Sequence, residues 1–113
     1  MSMFTYMSVH RYSDIDLGML QMQVLWLLGR KPGHGYELIK QLNDIKSTKV
    51  TAGVLYPVLA RLEEMKLISA RTVGRKKVYH MTPAGRNVMT RSCTEFCRTF
   101  EGIFKQYVCE RCR

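Results

Sequence analysis

The sequence has no apolar run that approaches the ~18–20 residues of a membrane-spanning helix. Its longest apolar stretch, Met19 to Leu28, is interrupted by Gln21 and Gln23. The N-terminus lacks a basic segment followed by an apolar core, so no signal peptide is expected. The expectation is a cytoplasmic protein with no membrane partner, in which structural disulfides are disfavoured. Acidic residues are scarce: nine Asp and Glu face eighteen Lys and Arg, for a formal net charge of +9. Also missing are a glycine-rich phosphate loop, a nucleophile elbow and paired carboxylates in an obvious pocket, so an enzyme is not expected. His10, His34 and His80 are scattered without metal-ligand spacing, and local hydrogen bonding is their expected role. No cysteine occurs before Cys93.

What is present is one ordinary domain of 113 residues, 46% hydrophobic. A core of that size is thin, and a partner subunit can supply part of it. The positive excess attracts a polyanion, either nucleic acid or an acidic membrane surface.

Periodicity gives the elements. Leu17, Leu20, Val24, Leu27 and Leu28 recur at helical spacing over 15–29, with Asp14 or Asp16 as cap, and Gly29 to Gly33 ends that helix. Met19, Leu25 and Trp26 add apolar character on its other faces. A short helix over 35–42 buries Leu38, Ile39 and Leu42, and 43–50 reads as a polar turn. A third helix over 52–65 carries the stripe Leu55, Val58, Leu59, Leu62 and Met65, with Thr51 as cap. Pro57 inside it predicts a kink or a short first turn. Strands are expected at 67–69 and 77–81, joined by a basic tip over 71–76. Thr82-Pro83 opens a last helix running to about residue 107.

Helix, helix, helix, hairpin and long helix make a mainly α chain whose order is that of a winged helix-turn-helix. It has three helices plus a two-stranded wing over 15–82, a C-terminal dimerisation helix with a cysteine-bearing tail over 83–113, and an N-terminal arm over 1–14 that is either loose or a short helix laid on a partner. In such a fold the third helix can enter the major groove and the wing can touch phosphates or the minor groove. The wing tip offers Arg71, Arg75, Lys76 and Lys77.

The tracts HGYELIKQL (34–42), VTAGVLYPVLARLEEMKLI (50–68) and KKVYHMTPAGR (76–86) resemble the winged-helix domain of PadR-type transcriptional regulators. The resemblance covers about two thirds of the chain. It implies a homodimer, usually a repressor, that binds double-stranded DNA at an inverted-repeat operator, with the last helix packed on the other subunit. The C-terminal region is only one helix long, as in the small subgroup, whose small-molecule effectors lie near the dimer interface when they are bound.

On the third helix, the face opposite the stripe and the N-terminal turn offer Lys49, Thr51, Ala52, Gly53, Tyr56 and Arg61 to DNA. Arg61 can pair with Glu64 instead. Tyr56 either reaches a phosphate or packs under the wing. For Tyr36 the resemblance supports a phosphate contact, but a core position is the favoured expectation. A rival function is a winged-helix interaction or architectural module without a specific operator.

Cys93, Cys97, Cys109 and Cys112 fall in two close pairs. They suit a zinc site, a redox switch, or simple packing at an interface. An unbroken helix would hold the two pairs about 18 Å apart at ~1.5 Å per residue. A single-chain site therefore needs a break near Gly102; otherwise the pairs meet across a dimer.

Overall fold

The computed structural model describes residues 14–45 and 49–109. Most of the expected N-terminal arm, with His10, lies outside these residues, as does Cys112. The chain forms α1 (Asp14–Arg30), β1 (Gly33–His34), α2 (Gly35–Ile45), α3 (Ala52–Glu64), β2 (Ile68–Val73), β3 (Lys76–Met81) and α4 (Pro83–Phe104). A π-helical turn, Lys105–Cys109, continues α4. This is a winged helix with a long C-terminal helix.

The apolar stripes converge on one core. Leu20, Val24, Leu27 and Leu28 of α1 meet Leu38 and Leu42 of α2 and Leu55, Val58, Leu59 and Leu62 of α3, all buried. Each such side chain contributes about 1.5–3 kcal/mol relative to exposure. Ile68 and Tyr79 close the core from the sheet. α1 packs on α3, α4 and β3.

Several expectations are corrected. The wing is part of a three-stranded antiparallel sheet of order β1-β3-β2, because Gly33 and His34 pair with Tyr79 and Val78. The strands of the hairpin are also longer than expected. Their register runs from Ile68↔Met81 to Val73↔Lys76, leaving only Gly74 and Arg75 as the turn. Gly74 has φ 64°, at the first central position of a two-residue turn, where a type II′ hairpin requires it. Arg71 to Val73 are therefore ladder residues and not tip.

α2 extends to Ile45, and Val50, placed in a polar turn by its neighbours, is fully buried. α3 runs through Pro57 as one helix. Thr51 stands at its N-cap with extended backbone, but its side chain makes no cap bond. The Val54 amide that it would serve already donates to the Thr51 carbonyl at 3.1 Å. Thr82 does cap α4: its Oγ1 accepts from the Gly85 amide at 3.0 Å and donates to the Lys66 carbonyl at 2.8 Å. Asp14 and Asp16 both lie within the first turn of α1.

Candidate nucleic-acid interface

α3 buries one side and exposes the other. Thr51, Ala52, Gly53, Tyr56 and Arg61 are all exposed, as is Lys49 just before the helix. The wing projects beside the Tyr56 edge of α3, with Arg71, Arg75, Lys76 and Lys77 exposed.

Between the two lies an open concavity lined by His34, Gly35, Tyr36, Tyr56, Arg75, Lys76, Lys77 and Tyr79. Three distant segments build it. β1 and the first turn of α2 form its floor, α3 forms one wall and the start of β3 forms the other. Gly35 lets the Tyr56 ring and hydroxyl lie close over it; a Cβ there would push the end of the Tyr56 side chain aside. Tyr36 is 64% exposed and stacked with His34 at 6.5 Å, which corrects the expected core position. It stands outside the buried set of α2, Gly35, Leu38 and Leu42, and that offset was the available signal. Tyr56 is 43% exposed, so it does not pack away beneath the wing.

The electrostatics suit an anion. Lys77 Nζ lies 5.5 Å from the centre of the Tyr79 ring and 3.7 Å from Glu63 Oε1. Burial pushes the Tyr79 hydroxyl above its ordinary pKa, keeping it neutral. The exposed Glu37 carboxylate folds back on the start of its own helix: it accepts the His34 backbone N–H at 3.1 Å and lies 3.6 Å from His34 Nε2. That backbone bond holds its carboxyl below the usual range. The lining thus presents hydroxyls and cations, the groups that hydrogen-bond and neutralise phosphate oxygens.

Not every expected residue joins this concavity. Arg61 is held by Glu64 at 3.2 Å and lines a separate groove with Leu17, Gln21 and Gly53. Arg71 pairs with Val78 across the ladder, so by strand alternation it faces away from Lys77 and the buried Tyr79. His80 Nε2 and Ser69 Oγ lie 2.6 Å apart, a local bond of the expected kind.

The cysteines are placed by α4, which does not break at Gly102. The π-helical turn carries the backbone on to Cys109, so Cys109 is not brought back to Cys93 and Cys97. Cys93 and Cys97 are exposed free thiols. Among the described residues, no group of three or more His, Cys, Asp or Glu is placed to hold a metal. A zinc site within one chain is therefore unsupported.

A second surface lies on α4, whose only buried residue is Gly85. Phe96, Phe100 and Phe104 form a ladder with centroids 5.4 and 5.7 Å apart. Beside it, Met19, Met22, Gln23 and Trp26 of α1 meet Met89 and Phe96 around an apolar groove of about 300 Å³. Among the described residues, no helix is long and apolar enough to cross a membrane.

Comparison with known proteins agrees with this fold. The model of the transcriptional regulator PadR-like family matches residues 24–91. The chain is similar to the transcriptional regulator YqjI of Escherichia coli, 39% identical over 71 residues, 60% of this chain and 34% of that protein. It is also similar to an uncharacterized 37.1 kDa protein in transposon TN4556 of Streptomyces fradiae. There it is 33% identical over 89 residues, 78% of this chain and 26% of that protein. It therefore spans about a quarter to a third of the length of these curated relatives. The solved structure of a transcriptional regulator from Clostridium thermocellum superposes with a TM-score of 0.74 at 27% identity. That match covers 84% of this chain and 99% of that one.

Proposed function

The chain belongs to the PadR-like family of transcriptional regulators, and from that premise we propose that it binds double-stranded DNA as a homodimer and represses transcription in the cytoplasm. The observation that carries this reading is the concavity between α3 and the wing, where Tyr36, Tyr56, Arg75, Lys76 and Lys77 converge on a chain of net charge +9. The N-terminal turn of α3, from Thr51 to Tyr56, enters the major groove. The wing and the two tyrosines hold the flanking phosphates. Arg71 and Lys49 reach the backbone further out, and Arg61 contributes only by leaving Glu64.

The aromatic ladder of α4 and the exposed Trp26 of α1 support the dimer. A single chain leaves Trp26, Phe96, Ile103, Phe104 and Tyr107 between 40% and 58% exposed. A second copy packed on α4 covers them and sets two α3 helices about 34 Å apart, one helical turn of DNA. The operator is then an inverted repeat. The groove lined by Trp26 and Phe96 is where a small apolar effector would alter that spacing.

The test is to mix the purified protein with fragmented genomic DNA at several salt concentrations and sequence what is retained. A two-fold symmetric site, with affinity falling steeply as salt rises, is the expected result. Equal retention of every fragment favours an architectural role. Absence of binding at low salt removes the DNA reading and leaves a protein-interaction module.

A further inference from the structure

The outward face of α3 carries little that can hydrogen-bond one base in preference to another. Over 52–61 its exposed residues are Ala52, Gly53, Tyr56, Pro57, Ala60 and Arg61. The side chains that tell base pairs apart by hydrogen bonds are Arg or Lys on guanine, Asn or Gln on adenine, and Asp or Glu on cytosine. Of these, the stretch 51–62 contains only Arg61. It is held by Glu64 at 3.2 Å, and it lies about 13 Å along the axis from Ala52 at ~1.5 Å per residue. Glu63 and Glu64, still further along, face Lys77 and Arg61. Tyr56 opens into the concavity beside the wing, where the phosphates are held in the reading above. Lys49, ahead of the helix, is a backbone contact in that same reading.

We infer that the start of α3 reads thymine, through the methyl groups of Thr51 and Ala52 packed on the C5-methyls that thymines present in the major groove. The inference rests on the proposed DNA binding through α3 and adds what that turn recognises.

The local geometry suits such a contact. Thr51 is exposed, and its side chain makes no cap bond. The Val54 amide that it would serve donates to the Thr51 carbonyl at 3.1 Å. The Thr51 hydroxyl can donate or accept, so it pairs with either kind of base-edge group and discriminates little. Its methyl does discriminate, because thymine alone offers a methyl on the major-groove edge. Ala52 adds a second methyl, with no longer side chain to hold the helix off the bases. Gly53 keeps the next exposed position bare. A Cβ there would meet only Thr51 Oγ1, at 3.8 Å, so the chain itself has room for one. Its absence leaves the helix surface low where a base edge comes close.

The test begins with the full chain and a pool of random duplex DNA, from which bound sites are selected. Each thymine of the selected duplex is then replaced by uracil, which removes the methyl and keeps the pairing edge. At least one position in each half-site is expected to lose about three- to fivefold in affinity, the value of one buried CH2-sized group. Uracil outside the half-sites is expected to change nothing. Thr51→Ser and Ala52→Gly delete the protein methyls. Together they are expected to abolish the preference for thymine over uracil, with unchanged affinity for random duplex and unchanged far-ultraviolet circular dichroism. Gly53→Ala is expected to weaken the selected site more than random duplex. Absence of binding at low salt removes the DNA reading, and this inference with it. Retention without a preferred sequence, or a selected site that no uracil weakens, overturns the methyl readout while DNA binding stands. A thymine preference that survives in the Thr51→Ser/Ala52→Gly chain overturns its assignment to these two residues.

Discussion

The side-chain amide of Asn43 is bound to the backbone of Val50 by two hydrogen bonds. Asn43 Oδ1 accepts the Val50 N–H at 2.6 Å, and Asn43 Nδ2 donates to the Val50 carbonyl at 3.1 Å. The last turn of α2 thereby fixes the chain where it enters α3, and Val50 is pressed fully into the core. The orientation of Lys49 and Thr51, on either side of Val50, follows from this clamp. Asn43→Ala leaves a backbone donor and acceptor without their partners at a partly buried site, and is expected to cost about 1–3 kcal/mol. Asn43→Asp does not rescue it, because a carboxylate oxygen then faces the Val50 carbonyl. Urea unfolding midpoints measure both; an unchanged midpoint for the alanine variant would mean the clamp carries no stability.

Lys66 is held at φ 62°, in the left-handed region that glycine prefers. It follows the Met65 C-cap of α3. Its N–H bonds the Glu63 carbonyl at 2.9 Å, and the next N–H, of Leu67, bonds the Leu62 carbonyl at 3.0 Å. That pair of bonds is a Schellman motif, with buried Leu62 and Leu67 supplying its apolar contact. Lys66→Gly relieves strain of about 1–2 kcal/mol but frees the unfolded chain, for a net stabilisation of about 0.5–1 kcal/mol. Thermal melting is expected to rise by a few degrees, and a fall in melting temperature would contradict the strain argument.

Both sites show what the sequence does and does not disclose. The stripes of α1, α2 and α3 and the Thr82-Pro83 start of α4 were legible, because burial periodicity and capping chemistry are written in neighbouring residues. β1 was not, since two residues, Gly33 and His34, are too few to carry a period. The end of α3 carried no glycine to mark it, because Lys66 takes the glycine position. Val50 looked like part of a polar turn because its burial depends on Asn43, seven residues away. At the candidate interface the cations of the wing were plain. Tyr36 was misplaced because an aromatic near a helix start suits the core as well as a ligand, and only the register of α2 decides. The exclusion of Arg71 and Arg61 from the concavity required ladder pairing and the Glu64 partner to be known.

Stability should carry an acid limb from Glu37. Its carboxyl is held below the usual pKa by the His34 backbone N–H, the largest cause. A depressed folded-state pKa means that the contribution is complete above the unfolded value of about 4.3 and is lost as pH falls through the lower folded value. Glu37→Gln is expected to be less stable than the native chain at neutral pH, with the gap closing in the acid range. The measurement is urea unfolding of both chains from pH 7 to pH 3. A gap independent of pH would show that the charge of Glu37 contributes nothing at the start of α2.

The wing cations should act on every DNA sequence alike. Arg75, Lys76 and Lys77 line the concavity from the side of the wing, and phosphate contacts carry no base information. Replacing all three by Ala is expected to weaken binding uniformly and to flatten the slope of log K against log salt by about 0.9 for each phosphate no longer neutralised. Affinity measured on specific and random duplexes at four salt concentrations decides it. An intact slope would place the wing away from the backbone.

Glu63 should restrain that same binding. Its carboxylate lies 3.7 Å from Lys77 Nζ, one of the cations that line the concavity. The pair is partly exposed, so it adds about 0–1 kcal/mol at most to folding. Its larger effect falls on the ligand. A phosphate reaching Lys77 must displace the carboxylate or share the ammonium with it, and it meets like charge in doing so. Glu63→Gln is therefore expected to tighten binding to specific and random duplexes alike, while leaving the unfolding midpoint nearly unchanged. The effect should operate through Lys77, and a double-mutant cycle isolates it. In a Lys77→Ala background, Glu63→Gln is expected to give less tightening than in the native chain, because only the general repulsion of Glu63 remains to be removed. Equal tightening in both backgrounds would mean that Glu63 acts by long-range charge alone, and that its proximity to Lys77 is incidental to how the wing meets DNA.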